Sequence, residues 1–195
     1  MPEVISLQQE QDRADVYALL AALLLGPDAD LIESLAALPD NPDADDDDVG
    51  LAWNALLQSA SRGSRAVLDE YEALFIAAGT PRLNPHQCFY LAGWLMDKPL
   101  AALREELREL GLVRAPGVTE LEDHLGALCE TMRVLIERGA PLAVQQAFFA
   151  RHVAGWAPQC LHDIASAPGA DFYRALAAFA QAFFALETAQ ATAGA

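Results

Sequence analysis

The chain has 195 residues, of which 53% are apolar and 21% charged, and its 28 acidic and 12 basic residues give a formal net charge of -16. This charge argues against a nucleic-acid partner, because binding a phosphate backbone requires clustered lysine and arginine. It would attract a cationic partner, although an acidic surface can also serve solubility alone. Alanine and leucine far outnumber valine and isoleucine, which favours packed helices over strands.

The same composition indicates a cellular location. The N-terminus, from Met1 to Ser6, lacks the basic segment of a secretory signal. The longest apolar run, residues 16–25, is too short to span a bilayer. The three cysteines are widely spaced and odd in number, which fits reduced thiols. We therefore expect a cytoplasmic protein with no membrane-inserted segment.

Apolar residues recur at helical spacing in four segments of the first half of the chain. The predicted helices cover residues 7–25, 31–38, about 48–61 and 64–79. Asp30 is the expected cap of the second helix and Ser64 that of the fourth. Residues of about 40–48 predict a mobile acidic loop, because chain breakers and mutually repelling charges leave nothing apolar to bury.

The second half continues the helical pattern. A fifth helix is predicted to begin at Pro85, a sixth to run from Asp97 to Gly111, and a seventh from Thr119 to Arg138. Pro141 and Pro158 each indicate the start of another helix, and Asp171 is the expected cap of the last one. No alternating strand pattern appears, so the sequence predicts an all-α protein: one domain over residues 1–195, built of about ten short helices.

The predicted opening of the seventh helix is the densest polar cluster in the sequence. Thr119 and Glu122 have the spacing of a capping box, and Glu120, Asp123 and His124 crowd the same turns. Ordinary stabilisation of a helix N-terminus would explain the three carboxylates without any function. A protonated imidazole is disfavoured there, so His124 should be neutral in the core or held by a carboxylate.

A second cluster, of aromatic residues, follows the proline-rich turn. Phe89, Tyr90 and Trp94 lie close together on the predicted fifth helix. Aromatic residues at helical spacing usually belong to a core, and a recognition groove is the alternative. No glycine-rich phosphate loop or strong metal-ligand pattern is present, so no cofactor is expected.

Three segments in order resemble the TorD/DmsD/NarJ family of redox-enzyme maturation chaperones. They are Tyr71-x-x-Leu74-Phe75, Pro85-His86-Gln87-Cys88-Phe89-Tyr90 and Glu120-x-x-Asp123-His124. Members typically show Tyr-x-x-Leu-Phe, Pro-x-Glu-Ser-x-Tyr and Glu-Pro-x-Asp-His. Here Gln87-Cys88 replaces Glu-Ser, which removes one negative charge, and Leu121 replaces the proline of the third segment.

The resemblance implies an all-α, TorD-like helical bundle that is a cytoplasmic chaperone and not an enzyme. It implies binding of the twin-arginine signal peptide, or the N-terminal region, of a molybdopterin oxidoreductase subunit, and relatives can form homodimers by exchanging helices. An arginine pair followed by an apolar run would suit carboxylates beside an aromatic groove.

Roles for individual residues follow from that hypothesis. Glu120, Glu122 and Asp123 would meet the arginines, His124 would orient Asp123 or sense the bound state, and Phe89, Tyr90 and Trp94, with Gln87 at its edge, would line the groove. Tyr71, Leu74, Phe75, Pro85 and Thr119 would be structural. Burial of Asp123 and His124 inside the core, remote from any opening that a peptide could enter, would overturn the hypothesis.

Two other classes of function remain open from the sequence. An all-α ligand-sensing regulator would need a basic recognition helix, yet the first 25 residues contain only Arg13 as a base. An enzyme using His124 with Asp123, or a nucleotide-binding protein, would need a second polar cluster converging on the first.

Overall fold

The computed structural model describes residues 7–41, 47–76 and 81–193, with side chains up to residue 190. Within these ranges it has ten α-helices and no strand, which confirms the all-α prediction. The helices are α1 (Leu7–Leu25), α2 (Ala29–Ala36), α3 (Asp48–Ala60), α4 (Ser64–Tyr71), α5 (Gln87–Ala92), α6 (Lys98–Glu109), α7 (Leu125–Glu137), α8 (Leu142–Phe149), α9 (Ala157–Ser166) and α10 (Phe172–Ala193). Two π-helical segments, Glu72–Ile76 and Ala150–Ala154, continue α4 and α8. In the described part of the chain, no helix is both long and apolar enough to cross a membrane.

The predicted helix boundaries agree with the structure where the residues that end or cap the helix are close to it in the sequence. The bounds of α1 and α3 agree with the prediction, and Asp97 caps α6 as expected. The start of α2 was predicted wrongly: Asp28, with an extended backbone, accepts the amide of Leu31 at 2.8 Å, whereas Asp30 lies inside the helix. Gly63, not Ser64, precedes α4. The predicted loop of about 40–48 falls mostly on residues 42–46, outside the described part, as does the predicted helix end at residue 79.

The described residues fall into two units, and the single-domain organisation stays a prediction. The first unit comprises residues up to 25, 85–157 and from 188 onward. Its centre is the packing of α1 along α7. Gly126 permits this close approach, because a Cβ at that position would lie 2.8 Å from Leu25 Cγ and 3.2 Å from Leu24 Cβ. The start of α7 is therefore fixed against the end of α1.

The second unit comprises residues 26–84 and 158–187. The first motif lies here as part of the core: Leu74 is 1% exposed, and the Phe75 ring meets the Tyr173 ring edge-on at 4.9 Å. The Tyr71 ring lies 5.3 Å from that of Phe75. Tyr71, Leu74 and Phe75 thus pack within the second unit, and the structural role of the motif stays a prediction.

The N-terminus of α10 is capped from a distance within this second unit. The Glu70 carboxylate accepts the amides of Asp171 at 2.9 Å, Phe172 at 3.1 Å and Tyr173 at 2.8 Å. Such amides at a helix N-terminus otherwise lack partners, and a carboxylate also suits the helix dipole. The sequence predicted Asp171 as the cap, but no local pattern reveals an acceptor 101 residues away.

Candidate functional site

The second and third motifs lie side by side through backbone hydrogen bonds. The amide of Gln87 donates to the carbonyl of Asp123 at 2.9 Å, and the amide of Leu125 donates to the carbonyl of Pro85 at 2.8 Å. His86 and His124 thereby form an isolated antiparallel bridge. Two segments that are more than thirty residues apart in the sequence are thus one structural feature, which we call the motif junction (residues 85–88 and 120–126).

Asp123 is the buried centre of the motif junction. Its side chain is 0% exposed, and its Oδ2 accepts the amide of Cys88 in the first turn of α5 at 3.0 Å. Its other oxygen, Oδ1, has no hydrogen-bond partner among the described residues. The helix α5 was predicted to begin at Pro85, but it begins at Gln87, because Pro85 is held in the bridge and Asp123 supplies the acceptor for the first turn.

His124 caps α7. Its Nδ1 accepts the amide of Gly126 at 3.1 Å, so the ring proton lies on Nε2. The side chain is 5% exposed, and burial, aided by the charge of His86, lowers the pKa of His124 to about 4. The imidazole is therefore neutral at pH 7, as the sequence analysis expected of a core histidine.

The predicted opening of the seventh helix at Thr119, with a Thr119–Glu122 capping box, was wrong. The helix begins at Leu125, and exposed Thr119 precedes the turn that leads to it. Tertiary contacts override the local capping pattern here, because the bridge uses the backbone of residues 123–125 and Glu122 is engaged by arginine side chains.

Glu120 lies at the surface edge of the motif junction. Its Oε1 lies 3.0 Å from His86 Nε2 and also accepts the amide of Leu121 at 3.0 Å. The hydrogen bond from His86 is the largest cause that lowers the pKa of Glu120 to about 2, so its carboxylate is charged at pH 7. The Glu120 side chain is 42% exposed, which leaves it accessible to a cationic ligand.

Glu122 is held between two arginines of its own chain. Arg104 donates to Glu122 Oε2 from Nε at 3.0 Å and from Nη2 at 2.8 Å, and Arg114 Nε lies 3.8 Å from Oε1. Burial on its own would raise the pKa of Glu122, but the bonds from Arg104 and the charges of both arginines lower it overall. The site therefore already binds guanidinium groups.

An open groove of about 380 Å³ lies beside these carboxylates within the first unit. Its wall includes Glu120 and Glu122, and its other charged side chains are Arg114, Glu130 and Arg138. The remaining lining is mainly aliphatic: Leu25, Leu107, Gly111, Leu112, Val113, Ala115, Val118, Ala127, Thr131 and Val134. We call this feature the α7 groove. It offers negative charge at one edge and an apolar surface within.

The predicted aromatic residues lie outside the lining of the α7 groove. Phe89 is 42% exposed, whereas Tyr90 is half-buried and stacks on Trp156 at 5.5 Å. Trp94 was wrongly predicted to lie on the fifth helix: α5 ends at Ala92, because Gly93 takes a left-handed backbone, and Trp94 follows it at 74% exposure. Leu91, Leu95 and Met96 are also exposed, and with Phe89 and Trp94 they form what we call the aromatic patch. The first unit thus exposes apolar side chains at residues 89–96 as well as in the α7 groove.

Gln87 has a structural position. It is 2% exposed, and its Nε2 donates to the carbonyl of Arg151 at 3.4 Å. Gln87, Asp123 and His124 are therefore all buried, and this counts against direct contact between these side chains and a peptide. The residues that sequence reasoning missed are Arg104, Arg114 and the aliphatic lining, because the arginine partners are separated from Glu122 by loop residues with no periodic pattern.

Comparison with known proteins shows similarity to a protein family and to a solved structure. The family model described as nitrate reductase delta subunit matches residues 42–162, which is more than half of the chain and includes both parts of the motif junction. A crystal structure from Archaeoglobus fulgidus, described as that of a redox enzyme maturation protein, matches with a TM-score of 0.58 and 20% identity over 89% of this chain and 92% of that one. At this identity the second similarity concerns the fold. No curated protein sequence shows significant similarity to the chain.

Proposed function

Because the chain belongs to the nitrate reductase delta subunit family, we propose that it is a maturation chaperone, not an enzyme, and that it binds the N-terminal region of a molybdopterin oxidoreductase subunit. The ligand would be a twin-arginine signal peptide or the corresponding N-terminal segment. The family match confirms the resemblance that the three motifs indicated. A chaperone of this kind acts on its enzyme before the enzyme is exported or assembled, so its proposed location is the cytoplasm.

The observation that carries this proposal is the pairing of charge and apolar surface in the α7 groove. Glu120 and Glu122 stand on its wall as carboxylates, and the two bonds from Arg104 to Glu122 give the geometry in which a guanidinium is received. The aliphatic lining suits the apolar run that follows the arginines in an export signal. One groove thus matches both halves of such a peptide.

The buried residues of the motif junction support this surface from behind. Asp123 joins the start of α5 to the turn that carries Glu120 and Glu122, and His124 fixes the start of α7 on the same side. We assign them a positioning role, with peptide contact left to the two glutamates. Phe89 and Trp94, at the aromatic patch, provide a second apolar surface for the client chain.

Calorimetry with a synthetic peptide tests the proposal. The probe carries two consecutive arginines followed by an apolar helix-forming run. Glu122→Gln removes the charge that receives the guanidinium, so we expect its affinity to fall by about tenfold or more, the usual scale for a hydrogen bond to a charged group. Circular dichroism of the variant should match that of the wild type.

Glu105→Gln is the matched control, because Glu105 is also a carboxylate paired with an arginine, Arg108, but lies outside the lining of the α7 groove. Its affinity should stay near that of the wild type. Light scattering on the same samples reports whether the chain binds as a monomer or as a homodimer. Absence of binding by the wild type, or equal losses in both variants, would contradict the assignment.

A further inference from the structure

The two arginines that flank Glu122 come from this chain and hold it unequally. Arg104 makes two hydrogen bonds to Oε2, at 3.0 and 2.8 Å. Arg114 lies 3.8 Å from Oε1, beyond hydrogen-bond distance, and its Nη1 donates to the carbonyl of Glu120 at 3.2 Å. Each oxygen of Glu122 therefore faces one guanidinium, and that of Arg114 is the more weakly held.

Arg114 belongs to a loop that forms part of the α7 groove. Residues 111–115 and Val118 all line it. The loop is tied to the end of α6 at its start, where the amide of Leu112 donates to the carbonyl of Leu107 at 2.8 Å. Beyond that tie, Val113 is 88% exposed, and Arg114 supplies the side-chain contacts to the segment of Glu120 and Glu122. Release of Arg114 would thus free the middle of the loop.

Binding of a cationic ligand to Glu122 while both arginines stay in place is unfavourable, because like charges at such distances repel. Both arginines are partly exposed, Arg104 at 47% and Arg114 at 39%, so exposure does not distinguish them. Arg114 makes no hydrogen bond to Glu122, and it is therefore the partner that can be exchanged. An incoming guanidinium would recover the charge interaction that Arg114 gives up. The number of ion pairs is conserved in the exchange.

We propose that Arg114 is an internal competitor for the peptide: it occupies the position beside Glu122 that one arginine of the client takes, and it leaves with its loop when the client binds. Arg104 stays as the fixed partner of Glu122. This inference rests on the proposed function and adds a displacement step to it. It makes the intrinsic affinity of the site higher than the affinity measured for the free protein.

Substitution of Arg114 tests the proposal, because removal of a competitor should raise the affinity for the peptide, whereas removal of a binding residue would lower it. Arg114→Gln should bind the two-arginine peptide about two- to fivefold more tightly than the wild type, the range expected when one exposed ion pair no longer has to be broken. The gain should disappear with a peptide whose two arginines are replaced by glutamine. Loss of one positive charge strengthens binding of any cation, so Arg108→Gln is the control: Arg108 also lies near the end of α6, paired with Glu105.

Hydrogen exchange provides the second measurement. In the wild type, peptide binding should speed exchange of the amide of Val118, which donates to the carbonyl of Ala115 at 3.2 Å, while the amides of residues 128–135 in α7 stay protected. If the wild type binds and Arg114→Gln binds no more tightly than Arg108→Gln, or binds more weakly, the competitor role is overturned and the proposed function stands. If neither the wild type nor Arg114→Gln binds, both are overturned.

Discussion

His124 couples one proton to the start of α7. Its neutral Nδ1 accepts the amide of Gly126, and a protonated ring could not accept it. The pKa of about 4 in the folded protein lies below the ordinary value of 6.5, so the unfolded chain binds the proton more tightly. The contribution of neutral His124 to the free energy of unfolding is therefore fully present above about pH 6.5 and is lost as the pH falls towards 4.

We predict that this loss is visible in urea unfolding. Between pH 7 and pH 4.5 the wild type should lose about 2–3 kcal/mol through His124, since each unit of pKa difference corresponds to about 1.4 kcal/mol. His124→Asn keeps a side chain that can cap a helix but does not titrate, so its free energy of unfolding should fall less over the same interval. His162→Asn, at an exposed position on α9, should follow the wild type. Parallel curves for His124→Asn and the wild type would contradict this account.

At this scale the sequence identified residues but not their contacts. Asp123 and His124 stood out because a carboxylate and an imidazole sat together in a motif. Their partners are the amide of Cys88, 35 residues away, and that of Gly126, two residues away. A contact across 35 residues depends on the tertiary fold, and no local spacing encodes it.

At the scale of elements, α1 and α7 depend on a residue without a side chain. A Cβ at position 126 would lie 3.3 Å from the carbonyl oxygen of Ala21, in addition to its contacts with Leu24 and Leu25. Backbone atoms cannot rotate away, so the two helices would have to separate. Gly126→Ala should therefore lower the free energy of unfolding by about 1–3 kcal/mol, the usual range for overpacking, in spite of alanine's better helix propensity.

Gly155→Ala is the matched control for this measurement. Gly155 has an α-helical backbone with a φ of -76°, and a Cβ there would meet no atom within 4 Å. Alanine at such a position restricts the unfolded chain without strain, so this variant should be unchanged or up to about 1 kcal/mol more stable in urea. Equal effects at the two glycines would show that close packing is not what fixes position 126.

Elements were predictable where their signals are local. The apolar period, with capping and terminator residues at the ends, predicted α1 and α3, and Asp97 marked the start of α6. The starts of α5 and α7 were misplaced, because the motif junction takes Pro85 and residues 120–124 out of any helix. The α7 groove was also missed, since its lining comes from α1, α6, α7 and an aperiodic loop.

At the scale of the whole molecule, the net charge of the protein and the contacts at the binding site affect different rate constants of peptide binding. The net charge of -16 attracts a cationic peptide over distances comparable to the Debye length, whereas the contact at Glu122 acts only after docking. Electrostatic attraction mainly sets the association rate, and short-range bonds mainly set the dissociation rate. A kinetic experiment should therefore separate the effect of salt concentration from the effect of a substitution at Glu122.

We predict that raising the salt concentration from 0.05 to 0.5 M slows association of the two-arginine peptide by about tenfold or more and leaves its dissociation rate nearly unchanged. Both rates can be measured by surface plasmon resonance with immobilised peptide. Glu122→Gln should show the same salt dependence of association, because it removes one charge from a field set by the whole protein. Its dissociation should be faster at every salt concentration. A salt effect confined to dissociation would mean that the acidic surface serves solubility rather than capture of the client.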